Sequence, residues 1–276
     1  KKKFLDYRND WKNFPKSMYS KQIDDYNYFE TNIAGPLCVD IETASICDLA
    51  CPHCFREYIL TPDKIMDFNT YKKIIDEVAN MGVPSIKLNW RGEPLLNPKI
   101  GDFIKYAKSA GILEVAINTN ATKLDKKTSK ILIKSGLDLI IYSFDGGTKK
   151  TYEKMRPGRF DDNKFENVYK NIKNFNSIKK KLKSFFPITK IQMVLTEETR
   201  KEIKEFYDLF DQYVDEITVT PYSERGGNLN DLKKNQKTKL VNYLKKNNLP
   251  MNTNYSVEAG EKISVTIGRK PCDQIF

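Results

Sequence analysis

The sequence predicts an α/β fold, a partial (β/α)6 TIM-like barrel of parallel strands behind an N-terminal extension. Three observations predict it. From Pro36 onward, short apolar runs rich in β-branched residues alternate six times with amphipathic helical stretches. Glycine follows helix after helix, at Gly82, Gly111 and Gly136, where a left-handed residue closes a helix. The residues with chemistry fall at the C-terminal ends of the strands, which is where such barrels carry their sites. Consecutive βα units join parallel strands through right-handed crossovers, so a curved sheet of six is the simplest outcome.

Taken in order, residues 1–35 are polar and aromatic, with Tyr7, Trp11, Phe14, Tyr19, Tyr26, Tyr28 and Phe29. They read as an extension packed on the main domain, ending at Gly35-Pro36. Strand one covers 37–43 and runs into a cysteine-rich loop; a helix follows over 69–81. Strand two covers 85–91 with a helix over 99–110, and strand three 113–119 with a helix over 126–134. Strand four covers 139–144, followed by a short helix over 149–154 and a longer one over 164–182. Strand five covers 189–196 with a helix over 199–213, and strand six covers 216–221. A Gly226-Gly227-Asn228 loop leads to a last helix over 237–246. The barrel domain is therefore expected over 36–247, and 248–276 to hold a linker at 250–253 and a short strand near 262–267.

Strand side chains point alternately to opposite faces. Asp40 and Glu42 alternate with Val39 and Ile41; Lys87, Asn89 and Arg91 alternate with Ile86, Leu88 and Trp90. Asn118, Gln192, Thr218 and Thr220 alternate with apolar neighbours in the same way. The apolar face should meet the helices, which leaves the polar face to line the lumen. A polar lumen implies a polar substrate, with Asp40, Glu42, Lys87 and Asn89 as candidate contacts.

A chain of 276 residues with 39% hydrophobic content suits one large domain with a substantial core. No apolar run reaches the length of a membrane span, and no membrane partner is expected. No signal-peptide pattern is present, and the opening at Lys1 rather than Met leaves room for an earlier N-terminus. The five cysteines are clustered rather than spread in pairs, which argues against a secreted disulfide framework and for a reducing, cytoplasmic setting. The net charge of +11 suits either an anionic partner or a lysine-rich surface. The lysines are scattered along amphipathic helices, and the densest run closes one, so the surface reading is preferred and nucleic acid is not expected as a partner.

Cys47, Cys51 and Cys54 fall within eight residues, spaced C-x3-C-x2-C. Three thiolates this close on a loop can turn toward one point and hold a soft metal or an iron–sulfur cluster. Tetrahedral zinc normally takes a fourth ligand. His53 lies inside the loop beside two of the cysteines, an awkward place from which to close the same tetrahedron. A four-iron cluster held by three cysteines leaves one iron open. The residues alone leave a zinc knuckle or a redox cysteine trio open beside it.

The cysteine spacing, with the His53 ring just before the last cysteine, resembles the signature loop of the radical S-adenosylmethionine (radical SAM) superfamily. Arg91-Gly92-Glu93-Pro94, Asn118-Thr119-Asn120 and Ser143-Phe144-Asp145-Gly146 resemble that family's further motifs, in its order, between about Pro36 and Pro221. Lys270-Pro271-Cys272 resembles the opening of the SPASM extension, which carries auxiliary iron–sulfur clusters. On that resemblance the chain is a fragment, and Cys272 is a possible ligand of an auxiliary [4Fe-4S] cluster completed beyond Phe276.

The resemblance implies a [4Fe-4S] cluster on Cys47, Cys51 and Cys54, and reductive cleavage of S-adenosylmethionine to a 5′-deoxyadenosyl radical. That radical would take a hydrogen atom from a peptide or protein, a sugar or a small metabolite. An electron donor such as flavodoxin or ferredoxin would be a partner. The resemblance places His53 near the cofactor's adenine, by stacking or backbone contact. It places Gly92 and Glu93 at the cofactor's ammonium group, with Arg91 standing where the family has a first glycine. Ser143 would meet the ribose or carboxylate, Arg156 the carboxylate, and Asn118 and Gln192 the ribose or substrate. No catalytic residue stands out beyond the cluster ligands. Two other readings follow from the same residues: a zinc-binding, basic nucleic-acid-binding protein, and a radical SAM enzyme that modifies RNA.

Overall fold

A computed structural model describes residues 2–20, 36–54, 56, 62–222, 256–257 and 263–264. Six parallel strands form one sheet in sequential order: β1 (Cys38–Asp40), β2 (Ser85–Lys87), β3 (Glu114–Thr119), β4 (Leu139–Ser143), β5 (Ile188–Leu195) and β6 (Glu216–Pro221). β1 and β6 are the edges, so this is the expected partial barrel. The crossovers carry α2 (Phe68–Asn80), α3 (Ile100–Ser109), α4 (Lys126–Lys134), α5 (Lys149–Met155), α6 (Phe165–Lys181) and α7 (Ile203–Phe210). Gly82, Gly111 and Gly136, just past α2, α3 and α4, all have positive φ.

The core forms between sheet and helices. Ile86 and Leu88, Val115 and Ile117, Ile140, Tyr142 and Phe144, Ile191 and Met193 all turn into it. They meet Tyr71, Ile75, Phe103, Ile104, Phe175, Phe206 and Phe210 from the helices. Tyr71 and Phe103 stack at 4.1 Å, and Phe144 and Tyr152 at 4.0 Å. The alternate residues face the other way. Lys87 Nζ lies 3.9 Å from Asp40 Oδ1, Lys190 Nζ lies 3.5 Å from Glu216 Oε2, and Gln192 donates to Thr220 at 3.1 Å. The concave face is therefore polar, as the alternation implies.

Three elements are shorter than the sequence suggests. β1 and β2 stop at Asp40 and Lys87 because side chains take over from the ladder beyond them. Thr43 Oγ1 donates to the Leu88 carbonyl at 2.9 Å, and the Arg91 N–H donates to Glu42 Oε1 at 2.9 Å. α7 starts at Ile203 rather than near Thr199, since Thr196 and Thr199 exchange backbone-to-hydroxyl bonds of 2.8 and 3.3 Å. Hydroxyls that bind local backbone hold it out of a helix in this way.

The N-terminal stretch forms a helix, α1 (Lys2–Ser20), that the sequence reading does not foresee. Pro15 discourages a helix there, while Phe4, Tyr7 and Trp11 form an apolar stripe that favours one. Tyr7 is 4% exposed, and Arg8 Nη1 lies 3.6 Å from Glu114 Oε2, at the N-terminal end of β3. Burial and then Glu114 push the Tyr7 hydroxyl up to about 12. α1 thus packs at the end of the sheet opposite the motif-bearing loops. Short strands at Ser256–Val257 and Ile263–Ser264 pair antiparallel. The aromatics of 21–35, the helix expected over 237–246, the linker at 250–253 and Cys272 lie outside the described residues.

Tyr7→Ala should cost roughly 3 kcal/mol of unfolding free energy. Leu5→Ala, on the exposed side of α1, should stay within about 0.5 kcal/mol. Urea unfolding followed by circular dichroism checks both, and equal costs would mean α1 is not seated on the barrel.

Candidate functional site

The loops at the C-terminal strand ends enclose a cavity of about 420 Å³. Cys47, Cys51, His53 and Cys54 line it, as do Asn89, Arg91, Gly92, Glu93, Asn118, Ser143, Arg156, Gln192 and Thr220. Eight of the candidate residues, His53, Asn89, Gly92, Glu93, Asn118, Ser143, Arg156 and Gln192, are therefore brought together with the three cysteines. Asp40, Glu42 and Lys87 are not among the lining residues. Glu42 lies one layer behind, where its carboxylate accepts from Arg91 Nε at 3.2 Å and Nη2 at 2.8 Å.

The cysteine loop is held from three sides. Its backbone pairs with the segment after Arg156: the Ala50 N–H donates to the Pro157 carbonyl at 2.9 Å, and the Arg159 N–H to the Asp48 carbonyl at 2.8 Å. The Asp48 carboxylate accepts from Asn120 Nδ2 at 2.8 Å and Thr122 Oγ1 at 2.6 Å. Asn120 Nδ2 also lies 3.8 Å from Cys47 Sγ, within reach of a weak N–H···S bond. The loop's start is fixed by the Glu93 N–H, which donates to the Ile46 carbonyl at 2.8 Å. That approach requires Gly92, because a Cβ there would sit 2.0 Å from the Ala44 carbonyl oxygen.

Glu93 is 2% exposed. Its Oε1 accepts from the Leu95 N–H at 3.0 Å and Thr119 Oγ1 at 2.6 Å, and its Oε2 from the Asn120 N–H at 2.7 Å. It caps the short 3-10 helix Pro94–Leu96 and also lines the cavity. Burial raises its pKa to about 7 against the pull of those bonds. Burial likewise pushes the Cys47 and Cys51 thiols up to about 12, Glu93 adding to the effect at Cys47 and Arg156 opposing it at Cys51.

Asp145, just past β4, has no exposed surface. Its Oδ1 accepts from the Val194 N–H at 2.7 Å, and its Oδ2 lies 2.7 Å from Arg156 Nη2 and 3.1 Å from His53 Nε2. Burial pushes this carboxyl up, but Arg156 and then His53 outweigh it and hold the pKa at about 2. His53 Nδ1, Asn118 Oδ1 and Arg156 Nε are buried without a hydrogen-bond partner. Such atoms are uncommon in folded proteins and mark places a ligand can complete.

The described cysteines, Cys38, Cys47, Cys51 and Cys54, are all unpaired thiols. Among the described residues, no three His, Cys, Asp or Glu side chains are drawn tightly enough together to hold a single metal ion. The donor set nonetheless fits a thiolate-bound group: three cysteines on one loop pinned from three sides, with an N–H beside one sulfur. Sequence reasoning passes over Asp48, Thr119, Asn120, Thr122 and Asp145 as individual contacts. Asn120 and Asp145 belong to motif stretches it quotes, but only their contacts separate them from their neighbours. A second concavity, of about 560 Å³, lies between α3 and α4 and is lined by Lys105, Lys126, Lys127, Lys130 and Lys134.

A family model described as the Radical SAM superfamily matches residues 41–210. GTP 3′,8-cyclase of Chlorobaculum tepidum is 34% identical over 125 residues, which cover 45% of this chain and 37% of that protein. The mycofactocin maturase MftC of Mycobacterium tuberculosis is 24% identical over 192 residues, covering 70% of this chain and 46% of that one. Streptococcus suis SuiB, solved with S-adenosylmethionine, superposes with a TM-score of 0.63 at 22% identity, over 82% of this chain and 52% of its own. The chain thus spans about half the length, or less, of these relatives.

Gly92→Ala should force the 91–93 segment away from Ala44 and lower stability by about 1–3 kcal/mol. Asp48→Ala should remove the carboxylate that Asn120 Nδ2 and Thr122 Oγ1 both donate to, and loosen the loop. Both variants should take up less iron than the parent protein on anaerobic reconstitution, as read by a colorimetric iron assay. Unchanged uptake in both would mean that these contacts do not shape the loop.

Proposed function

Because the chain belongs to the radical SAM superfamily, we propose that it holds a [4Fe-4S] cluster on Cys47, Cys51 and Cys54 and acts with S-adenosylmethionine on a polar substrate. When bound, the cluster and S-adenosylmethionine supply a 5′-deoxyadenosyl radical, which takes a hydrogen atom from the substrate. What supports the reading is that the three thiols, Glu93, Ser143 and Arg156 line one cavity at the strand ends. In this reading Arg156, a planar fork of donors, receives the cofactor carboxylate. Glu93 accepts from the cofactor ammonium, a charge-assisted bond. Gly92 brings backbone close to the methionyl end, and His53 sits near the adenine. Ser143, Asn118 and Gln192 offer neutral hydrogen-bonding groups to ribose or substrate.

The substrate is a peptide or protein, a sugar or a small polar metabolite. Asn89, Asn118, Gln192 and Thr220 on the cavity lining favour hydrogen bonds over apolar contact. Asp40, Glu42 and Lys87 would act from behind that layer. The one-electron reductant is a small carrier such as flavodoxin or ferredoxin. Residues 1–35 would form the extension, 36–247 the radical SAM partial barrel, and 248–276 a linker and the start of a SPASM-like extension, with Cys272 as a candidate auxiliary-cluster ligand. A second reading, RNA as the substrate, is favoured by the five-lysine concavity between α3 and α4. None of the described helices is long and apolar enough to cross a membrane.

Reconstituted anaerobically, the protein should bind iron and sulfide and release 5′-deoxyadenosine when given S-adenosylmethionine and a strong reductant. Replacing Cys47, Cys51 or Cys54 with Ala should bring both to background. Bound zinc with no 5′-deoxyadenosine would sink the reading. RNA affinity that falls steeply between low and physiological salt, and drops further in a Lys127→Glu/Lys130→Glu variant, would select the RNA reading.

A further inference from the structure

We propose that Asp145 is a positioning residue that aims both Arg156 and His53 at bound S-adenosylmethionine. This rests on the reading above and adds to it a residue that has no assigned role in it.

One carboxylate joins four elements. Asp145 follows β4, and it bonds the Val194 N–H of β5 through Oδ1 at 2.7 Å. Through Oδ2 it reaches Arg156, the C-cap of α5, at 2.7 Å and His53, within the cysteine loop, at 3.1 Å. All three side chains are buried or nearly so: Asp145 is 0% exposed, Arg156 8% and His53 11%. Buried ion pairs seldom make a protein more stable than apolar packing of the same volume would, so stability alone gives little reason to build one here. The pair is also left incomplete on the cavity side. Arg156 Nε and His53 Nδ1 are buried and unpartnered, and both residues line the cavity. Asp145 Oδ2 sits at ion-pair distance from one nitrogen of each side chain, and that charge holds the other nitrogen of each toward the cavity. A cofactor carboxylate at Arg156 and a polar edge of the adenine at His53 would complete the two. The contact also ties the arm carrying Arg156 to the loop carrying Cys51 and Cys54, so cofactor grip and cluster loop share one anchor.

Asp145→Asn tests this. The amide keeps the size and can still accept the Val194 N–H, but it drops the charge that holds the guanidinium. His53 is the chain's single histidine, so its imidazole signals are unambiguous in a protein labelled with 15N-histidine. In protein without the cluster, those signals should move in the variant. In reconstituted enzyme, iron per chain should hold, the KM for S-adenosylmethionine should rise at least tenfold, and kcat for 5′-deoxyadenosine should fall less than threefold. In an Arg156→Lys background the same change should add less than threefold to KM. Imidazole signals and KM both unchanged would overturn the proposal, as would a full tenfold effect in the Arg156→Lys background. If Asp145→Asn does not fold, the decision passes to the unaltered protein: S-adenosylmethionine added to the reconstituted enzyme must shift the His53 signals, and no shift overturns the proposal. Absence of 5′-deoxyadenosine from the unaltered enzyme would sink the functional reading instead, while the cluster-free imidazole shift would still report the Asp145 contact.

Discussion

The site depends on one buried carboxylate, that of Glu93. It reaches the tip of β3 through Thr119 and Asn120, and its own N–H holds the Ile46 carbonyl at the mouth of the cysteine loop. A carboxylate with 2% exposure is costly unless its oxygens are satisfied, and here three donors converge on it. Asn120, placed by that contact, carries the amide that meets Asp48 and Cys47. The position of the thiols is thus referred back to the sheet through a short chain of hydrogen bonds rather than left to a loop of eight residues.

The sheet itself supplies the second constraint. A barrel whose interior is packed with branched apolar side chains has no room for a ligand. Here the apolar residues turn outward to the helices, and the concave face carries Asp40, Lys87, Asn89, Asn118, Lys190 and Gln192. The open edge between β1 and β6 and the polar face go together, because unfilled polar groups can be solvated only where water or a ligand reaches them.

The strands, the helices and the cavity's main residues were legible because they rest on local signals: period-two alternation, glycine stops, and clustered thiols. α4 and β6 match their expected bounds to the residue. α1 was not legible, since Pro15 masks a stripe whose meaning depends on a docking surface formed by β2 and β3. The early ends of β1 and β2 were hidden too, because Thr43 and Glu42 divert the backbone only after long-range partners arrive. Asp48, Asn120 and Asp145 are not set apart from their neighbours by any local signal, although Asn120 and Asp145 sit within motif stretches. What singles each out is its contacts, chiefly with residues about 50 to 90 positions away.

The backbone pairing of Ala50 with Pro157, and of Asp48 with Arg159, has a consequence for biosynthesis. The cysteine loop leaves the ribosome before the strand-like edge it leans on, which is made more than a hundred residues later. Contacts of such long sequence separation form late in folding. Until then the three thiols are an unshaped, oxidisable triplet in a growing chain. The shape of the cysteine loop is therefore a property of the finished domain, and until it folds the thiols of the nascent chain stay open to oxidation.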